Sequence, residues 1–353
     1  MRLFHCTHCA NVVHFDNDGC VSCGMRLAYR PSGFDMVALQ PVGEAFEDPA
    51  APGTPLVPCG NAALGGCNWL VEDGHASGLC LACRHNVTIP NLSRPENAEN
   101  WQRIELAKRY LIYSLMRLGL PLVTRLDDPE NGLGFSFLSD EDEAGAPVLT
   151  GHANGLITLN IAEASDAERE ARRVSLGEPF RTLIGHFRHE VGHYYWDRLV
   201  RDRHDEEGFR AIFGDEREDY AQALERHYAQ GPIPGWEQAH VSAYAASHPW
   251  EDFAETWAHY FHIVDALDTA DAFGLRTRPE TGVAELALTN TFDSYRAIDA
   301  QVLCDAWVPL TVAINSINRS MGQRDLYPFV LSAPVLGKLQ YIHDSVHHEE
   351  TRG

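Results

Sequence analysis

Residues 175–200, SLGEPFRTLIGHFRHEVGHYYWDRLV, contain the pattern His-Glu-x-x-His between His189 and His193. The stretch predicts one amphipathic helix, because its apolar residues recur every three to four positions. Ser175 and Glu178 form a capping-box pattern at its start. Two histidines four residues apart on a helix share a face and can bind the same zinc ion. We therefore expect the rest of the chain to serve a metal-binding helix.

A polar stripe runs beside the apolar stripe of this helix. It consists of His186, His189, Glu190, His193 and Asp197. Buried polar side chains are costly, so a metal ion is the natural compensation for gathering them there. The alternatives are a chance match in a chain with 18 histidines and a solvated histidine-rich face. The adjoining apolar stripe and an acidic helix downstream weigh against both.

A catalytic zinc ion takes three protein ligands and leaves its fourth position to water. We expect the third ligand to be Glu255, on a helix predicted to begin at Pro249. A histidine six positions after His193, the other common arrangement, is ruled out because Leu199 stands there. The competing candidates are Glu251, Asp252 and His259.

Glu190 directly follows His189 and is expected to face the attacking water rather than the metal. Zinc lowers the pKa of a bound water toward about 7, and Glu190 then acts as general base and passes the proton to the leaving amine. Tyr244 is a candidate donor to the developing oxyanion. Its competitors are Tyr220, Tyr228 and Tyr260. Asp197 is expected either to orient an imidazole or to pair with Arg201.

Eight of the nine cysteines form two sets of four. The first set is Cys6, Cys9, Cys20 and Cys23, and the second is Cys59, Cys67, Cys80 and Cys83. Two CxxC turns in the first set are typical of a zinc ribbon with a structural four-cysteine zinc, since nothing nearby resembles a thioredoxin-like redox context. The second set is less regular, which leaves His75 and His85 as alternative ligands and ligand exchange between the sets open. We expect one catalytic and one or two structural zinc ions.

The balance of charge restricts the partners. With 28 Lys and Arg against 50 Asp and Glu, the net charge is −22, so electrostatic binding to nucleic-acid phosphates is not expected. The chain shows no N-terminal signal pattern and no apolar run of membrane length, which predicts a cytoplasmic protein without a membrane partner. Cysteines in a reducing cytosol are expected to bind metal rather than form disulfides. The sequence does not indicate an oligomeric state.

The chain resembles the bacterial family of zinc-binding metallopeptidases that carry an N-terminal zinc ribbon. The resemblance rests on residues 6–23, 185–196 (GHFRHEVGHYYW) and 251–258 (EDFAETWA). It implies zinc, a zincin-like catalytic domain and peptidase activity on protein or peptide substrates. The Ala254-Glu255 string is also similar to the third-ligand helix of lethal-factor-type peptidases, which supports Glu255.

These observations predict an α+β fold with N-terminal zinc-ribbon modules and a mainly helical zincin-like metallopeptidase domain containing a small sheet. We expect a ribbon at 1–40, a proline-rich linker and second cysteine module at 41–92, and the metallopeptidase domain at 93–353. Within the last domain, Asn154-Gly155 between apolar runs predicts a hairpin.

Two further functions compete with a peptidase of the glutamate-zincin type. One is a binding or scaffold protein in which zinc organises a surface and the His-Glu-x-x-His pattern is idle. The other is a peptidase acting on nucleic-acid-associated substrates, which the negative charge disfavours. The presence of Glu190 favours the peptidase, because metal binding alone does not require a base at that position.

Overall fold

The computed structural model describes residues 2–140, 148, 150–165, 182–280, 282–288 and 292–347. Packing divides the chain into two compact units. The first unit comprises Met1–Tyr113 and Leu122–Asp166, and the second comprises Ser114–Pro121 and Ala167–Gly353. This division differs from the boundary at residue 93 expected from the sequence, because the first unit also contains most of a long helix and the predicted hairpin.

The first unit begins with small antiparallel sheets. They are β1 (Phe4–His5) with β2 (Val12–Val13), β3 (Leu27–Arg30) with β4 (Asp35–Ala38), and the three-stranded β5 (Gln40–Val42), β6 (Ala45–Asp48) and β7 (Ala51–Leu56). Ala28, Val37 and Leu39 pack with Leu70 in a buried cluster. The cluster joins β3 and β4 to the segment that carries the second cysteine set.

Strands β5 to β7 lie within residues 40–58, the stretch expected to be a proline-rich linker. Pro41 lies on β5, and Pro52 and Pro55 lie on β7, which are the two edge strands of that sheet. Proline has no N–H to donate to a neighbouring strand, and an edge strand tolerates this loss. The same prolines that indicate a linker in the sequence are therefore compatible with a sheet.

The rest of the first unit combines helices with a mixed sheet. The helices are α1 (Leu81–Arg84) and α2 (Pro95–Arg117), and the strands are β8 (Asn86–Thr88), β9 (Gly134–Leu138), β10 (Gly151–Ala153) and β11 (Leu156–Asn160). In the order β10-β11-β9-β8, only the hairpin pair β10 and β11 is antiparallel. Asn154 and Gly155 have φ of 47° and 79°, as a two-residue hairpin turn with both residues left-handed requires.

The second unit is helical in its described part. Its helices are α3 (Leu183–Trp196), α4 (Glu206–Phe213), α5 (Tyr220–Gln230), α6 (Pro249–Ala272), α7 (Ala300–Ser320) and α8 (Ala333–His347). Thr182 caps α3 by accepting a hydrogen bond from the Gly185 N–H at 3.0 Å, and a π-helical turn, Asp197–Arg201, extends its end. The predicted capping box at Ser175 and Glu178 lies outside the described residues. The expected fold class, cysteine-rich sheets followed by a mainly helical part, is confirmed.

Helices α3 and α6 pack closely where Gly192 faces α6. A Cβ on Gly192 would lie 3.0 Å from the Ala254 Cα and 3.2 Å from Cδ1 of Trp257. Nearby, the rings of Tyr195 and Trp257 stack with centroids 5.0 Å apart. The absence of a side chain at Gly192 thus lets the two helices approach closely at Ala254.

Helix α7 is the one described helix whose length and apolar composition are sufficient to cross a membrane. Half of its most apolar window is buried within the structure, as is common for a core helix. Pro309 lies inside it and is itself buried. Because α7 is half buried in the structure, its length and composition are weak evidence that it spans a membrane.

Candidate metal centre

Two helices bring together three atoms that could bind one ion. On α3, Nε2 of His189 and Nε2 of His193 lie 3.2 Å apart. On α6, Oε2 of Glu251 lies 3.0 Å from the first of these nitrogens and 3.6 Å from the second. His193 is 3% and Glu251 1% exposed. The three atoms thus form a compact triangle of two imidazole nitrogens and one carboxylate oxygen.

This donor set fits zinc. A tetrahedral zinc ion with ligands at about 2.0–2.1 Å holds them about 3.3 Å apart, which is close to the three separations observed. Oε2 of Glu251 is buried, and its polar neighbours are the two histidine nitrogens. Such an atom is costly unless a cation or a donor meets it. Two imidazoles and a carboxylate are also a donor set that zinc uses in catalytic sites.

Glu255, the residue expected in the third ligand position, lies elsewhere. Its Oε1 is 2.7 Å from Nδ1 of His189, on the other side of that ring, and its Oε2 accepts a hydrogen bond from Ser242 at 2.5 Å. Glu251 and Glu255 are one turn apart on the same face of α6, so their spacing does not distinguish them. The distances do, because an oxygen of Glu251 lies near Nε2 of both histidines, whereas Glu255 meets Nδ1 of His189.

The other competitors for the third position are bound elsewhere. Asp252 is fully buried and receives a hydrogen bond from Lys338 at 2.5 Å. His259 lies 2.6 Å from the Tyr327 hydroxyl through its Nδ1. Neither side chain belongs to the metal-ligand group that contains Glu251.

Glu190 is buried beside the two histidines, with its Oε1 3.2 Å from Nε2 of His186. Burial raises the pKa of Glu190, but the His186 hydrogen bond and the charges of His186, His189 and His193 outweigh burial, and the net pKa lies below its ordinary value. The carboxyl is therefore ionised at neutral pH and can accept a proton. His186 itself belongs to the polar stripe expected from the sequence.

The carboxylates also act on His189. Burial lowers the pKa of this imidazole, but the bonds to Glu251 and Glu255 raise it well above its ordinary value. The pair of acids thus creates a negative potential that holds a cation. Either a proton on His189 or a divalent metal ion can balance the negative charge of these two acids.

Aromatic residues enclose the three candidate ligands. Trp250 lies against the ring of His193 with centroids 3.8 Å apart, and Tyr220 donates a hydrogen bond to Oε1 of Glu251 at 2.6 Å. The ring of Tyr244 lies 5.9 Å from that of His189. Trp250 was not anticipated, although its position next to Glu251 was a signal. Tyr220 was named only as a rival oxyanion donor, whereas its hydroxyl is bonded to Glu251.

Asp197 pairs with Arg201, whose Nη1 lies 2.6 Å from its Oδ1. Of the two roles expected for Asp197, the structure shows the ion pair. Burial raises the pKa of Asp197, against the opposing effect of Arg201.

The cysteines form the two expected groups. Within each group of four, the sulfur atoms lie within 4.8 Å of one another. Measured sulfur pairs, such as Cys6 with Cys23 at 3.8 Å and Cys67 with Cys80 at 3.6 Å, match the roughly 3.8 Å between thiolates on a tetrahedral zinc with bonds of about 2.3 Å. The sets do not exchange members. All four cysteines of the second set are buried, whereas Cys9 of the first is exposed.

The alternative histidine ligands of the second set have other partners. His75 Nδ1 lies 2.8 Å from the Ser77 hydroxyl, and His85 Nδ1 lies 2.9 Å from the Leu133 carbonyl oxygen. Backbone N–H groups face the sulfurs instead, with Trp69 donating to Cys67 at 3.4 Å. Such N–H donors stabilise thiolate charge. The geometry therefore favours four cysteines alone.

Comparison with known proteins agrees with this geometry. Residues 97–345 match the family described as "putative zinc-binding metallo-peptidase". The chain belongs to this family. Residues 3–94 match a zinc-ribbon domain, a range that includes both cysteine sets. The family resemblance expected from the sequence is confirmed, and the description of the family names both zinc binding and peptidase activity.

Related proteins align with nearly the whole length of this chain. Uncharacterized proteins of Mycobacterium bovis and of two Mycobacterium tuberculosis strains are each 43% identical over 347 residues. The matched region covers 98% of this chain and 95% of each relative. No solved structure matches the chain.

Proposed function

We propose that this metallo-peptidase hydrolyses peptide bonds at a zinc ion held by His189, His193 and Glu251, with Glu190 as general base. The observation that carries the proposal is the triangle of 3.0, 3.2 and 3.6 Å between the three ligand atoms, with an ionised carboxylate on the same helix. Zinc bound there would polarise the scissile carbonyl and lower the pKa of water toward about 7. The substrate class is protein or peptide.

Glu190 supplies the proton transfer. Its low pKa leaves it ionised, so it can take a proton from the attacking water and deliver it to the amine that leaves when the peptide bond breaks. His186 holds the carboxylate in place by the contact at 3.2 Å. Because His186 and Glu190 are one helical turn apart, α3 itself positions the base.

Glu255 and Tyr220 position the candidate ligands. Glu255 accepts the Nδ1–H of His189, which leaves Nε2 of that ring as the basic, metal-facing nitrogen. Ser242 holds Glu255 by a hydrogen bond of 2.5 Å. Tyr220 donates to Oε1 of Glu251, which leaves Oε2 beside the two histidines. Each contact restricts the rotation of one ligand.

Tyr244 is the residue we assign as donor to the developing oxyanion. Its ring lies against that of His189, and burial, followed by the charge of Glu251, raises its pKa. The hydroxyl is therefore protonated throughout the neutral range. Among the described residues it has no hydrogen-bond partner, whereas the hydroxyl of Tyr220 is bonded to Glu251. A protonated phenol beside the candidate metal site can stabilise negative charge on a carbonyl oxygen.

The two cysteine sets are assigned to structural zinc ions. Four thiolates complete a tetrahedral coordination sphere and leave no position for a substrate. None of the nine cysteines forms a disulfide, and unpaired cysteines persist in a reducing compartment, which supports the expected cytoplasmic location. The proposed content is three zinc ions per chain, one of them catalytic.

The test compares wild type with Glu190→Gln, both purified without added metal. Zinc is counted by elemental analysis, and an unfolded protein and a mixed peptide library are incubated with each and followed by mass spectrometry. We expect equal zinc content and a loss of cleavage of about 10²- to 10⁴-fold in the variant. Glu207→Gln, at an exposed position of α4, is the matched control and should cleave normally.

Two results would contradict the proposal. Equal cleavage by wild type and Glu190→Gln would remove Glu190 from the role of base. Equal zinc content with no cleavage by either protein, across substrates of varied sequence, would favour the scaffold function instead.

A further inference from the structure

The two cysteine sets differ in how far the rest of the protein covers them. In the first set Cys9 is exposed and Cys23 is half-buried, whereas all four cysteines of the second set are buried. The surroundings of the first set are also open to solvent, since residues 8–10 and the residues at positions 21, 22 and 24 are exposed. A small reagent in solution therefore has access to the first set in the folded protein, and not to the second.

A fully buried ion pair covers one end of the second set. Oε2 of Glu105 lies 4.0 Å from the Cys83 sulfur and 2.8 Å from Nζ of Lys108, and all three residues are 0% exposed. The sulfur of Cys59 accepts a hydrogen bond from the Cys80 N–H at 3.4 Å. These contacts occupy the space around the sulfurs, so a reagent must open the structure to reach them.

Cys9 has a second thiol beside it. Its Sγ lies 3.6 Å from Sγ of Cys20, and a disulfide needs about 2.05 Å, so a movement of roughly 1.5 Å brings the two sulfurs to bonding distance. Cysteines that respond to oxidants are accessible thiolates with a resolving cysteine close by. A zinc ion holds its cysteine ligands as thiolates. With zinc in the first set, Cys9 combines these three properties.

We propose that Cys9 is an oxidation site for peroxides, and that Cys20 then forms a disulfide with it and releases zinc from the first set. The inference rests on the assignment of zinc to that set and not on peptidase activity. The ligand set of the candidate metal centre, two histidines and a glutamate, contains no thiolate. Peroxide therefore acts on the first ribbon and leaves the other two zinc sites loaded.

The reaction consumes one peroxide and two thiolates. The Cys9 thiolate attacks one oxygen of hydrogen peroxide, the O–O bond breaks, hydroxide leaves, and Cys9 becomes a sulfenic acid. The Cys20 thiolate then attacks the Cys9 sulfur, the S–O bond breaks, and a second hydroxide leaves. The two sulfurs lose two electrons, which the peroxide gains. Zinc keeps only Cys6 and Cys23 of its four ligands and dissociates, and a dithiol reductant with added zinc reverses the change.

Zinc loss acts on a loop that packs into the first unit. The loop between Cys9 and Cys20 carries Phe15, whose ring centroid lies 4.9 Å from that of Tyr29 and 6.0 Å from that of Trp69. A zinc ion in the first set joins the two turns at the ends of this loop. Its release removes that link, so we expect faster amide hydrogen exchange in residues 10–19 of the oxidised protein.

The experiment treats zinc-loaded, full-length wild type with hydrogen peroxide. Released zinc is followed with a colour-forming chelator that takes none from the untreated protein, and zinc is counted per chain by elemental analysis before and after treatment. Free cysteines are then alkylated, and disulfides are mapped by mass spectrometry. We expect one zinc ion per chain to leave together with formation of a disulfide between Cys9 and Cys20, while the second set stays reduced and two zinc ions remain.

The variant Cys9→His tests the point of attack. Histidine is a ligand that zinc accepts beside three cysteines, and it cannot form a disulfide. The variant should bind three zinc ions and release the first about tenfold more slowly or less. Cys304→Ala, which removes the buried thiol outside both sets, is the control and should release zinc as wild type does. If Cys9→His does not bind zinc in the first set, the disulfide map of wild type still identifies the attacked thiolate.

Several outcomes would overturn the proposal. Retention of all three zinc ions in peroxide would show that the first set is inert, and loss from both cysteine sets at the same rate would show that burial does not protect the second. Equal release by Cys9→His and wild type, or a disulfide between Cys6 and Cys23 with Cys9 intact, would place the attack at another thiolate. A first set without zinc before treatment would refute this inference together with the assignment of zinc to that set.

Discussion

Glu255 and His189 form a carboxylate–imidazole pair, with Oε1 of the acid 2.7 Å from Nδ1 of the ring. This bond fixes the tautomer, so that Nε2 of His189 is left to face His193 and Glu251. Pairs of this kind orient metal-binding histidines and raise the basicity of the nitrogen that faces the metal. The proposed zinc site thus consists of three ligands and of the neighbouring residues that orient them by hydrogen bonds.

The first prediction separates the two acids of α6. Glu251→Gln should lose the zinc at this site, because it removes the anionic member of the proposed ligand set, whereas Glu255→Gln should keep it with about 10- to 100-fold weaker affinity. Competition with a chelator of known affinity measures both values. Loss of the ion from Glu255→Gln, with near-normal affinity in Glu251→Gln, would show that Glu255 is the ligand.

The second prediction concerns the close approach of α3 and α6. Gly192→Ala places a methyl group 3.0 Å from the Ala254 Cα, so the helices must separate, and we expect a loss of about 1–3 kcal/mol in unfolding free energy. The matched control is Gly337→Ala on α8, where nothing lies within 4 Å. There alanine should stabilise the helix by roughly 0.5–1 kcal/mol. Denaturant unfolding measures both; equal effects would refute the packing argument.

The third prediction distinguishes Tyr220 from Tyr244. Tyr244→Phe should lower kcat by about 10²- to 10³-fold with zinc affinity unchanged, because it removes a donor to the oxyanion. Tyr220→Phe should instead weaken zinc binding by about tenfold or more, because it frees one oxygen of Glu251. Steady-state kinetics at saturating zinc, together with chelator competition, separate the two effects. An exchange of these phenotypes would reverse the assignment.

The fourth prediction is a pH dependence of stability that arises from His259. Burial lowers the pKa of this histidine to about 4, so the folded protein binds its proton less readily than the unfolded chain does. Stability should therefore fall as the pH drops from about 6.5 toward 4, by an amount on the order of 3 kcal/mol for this one group.

His259→Asn tests this pH dependence. Asparagine keeps a polar atom near the Tyr327 hydroxyl but does not titrate, so the difference in unfolding free energy between wild type and variant should shrink as the pH falls from 6.5 to 4. Wild type and variant share the same candidate metal sites, so effects of metal loss cancel in this difference. A difference that stays constant across the window would show that His259 does not contribute.

Local spacing in the sequence was sufficient to predict several features. His189 and His193 were placed on one helical face by their separation of four, and each cysteine set follows from neighbouring CxxC turns and single cysteines. The hairpin at Asn154-Gly155 was likewise expected, because both residues tolerate a left-handed backbone. These features depend on residues that are close along the chain.

Features that depend on packing between distant segments were not predictable in the same way. The choice between Glu251 and Glu255 depends on contacts between α3 and α6, and the hydrogen bond from Tyr220 to Glu251 joins residues 31 positions apart. The strands between residues 40 and 56 were missed because prolines lie on the two edge strands, and prolines in a sequence usually indicate a loop. In each case the deciding contact is tertiary, and spacing along the chain does not encode it.

The most direct test of the central claim is X-ray diffraction from crystals of the zinc-loaded protein, with anomalous data at the zinc absorption edge. The account predicts a peak about 2.0–2.2 Å from Nε2 of His189, Nε2 of His193 and an oxygen of Glu251, besides one peak in each cysteine set. Peaks in the cysteine sets with none between these three residues, or an ion bound by Glu255 in place of Glu251, would contradict it.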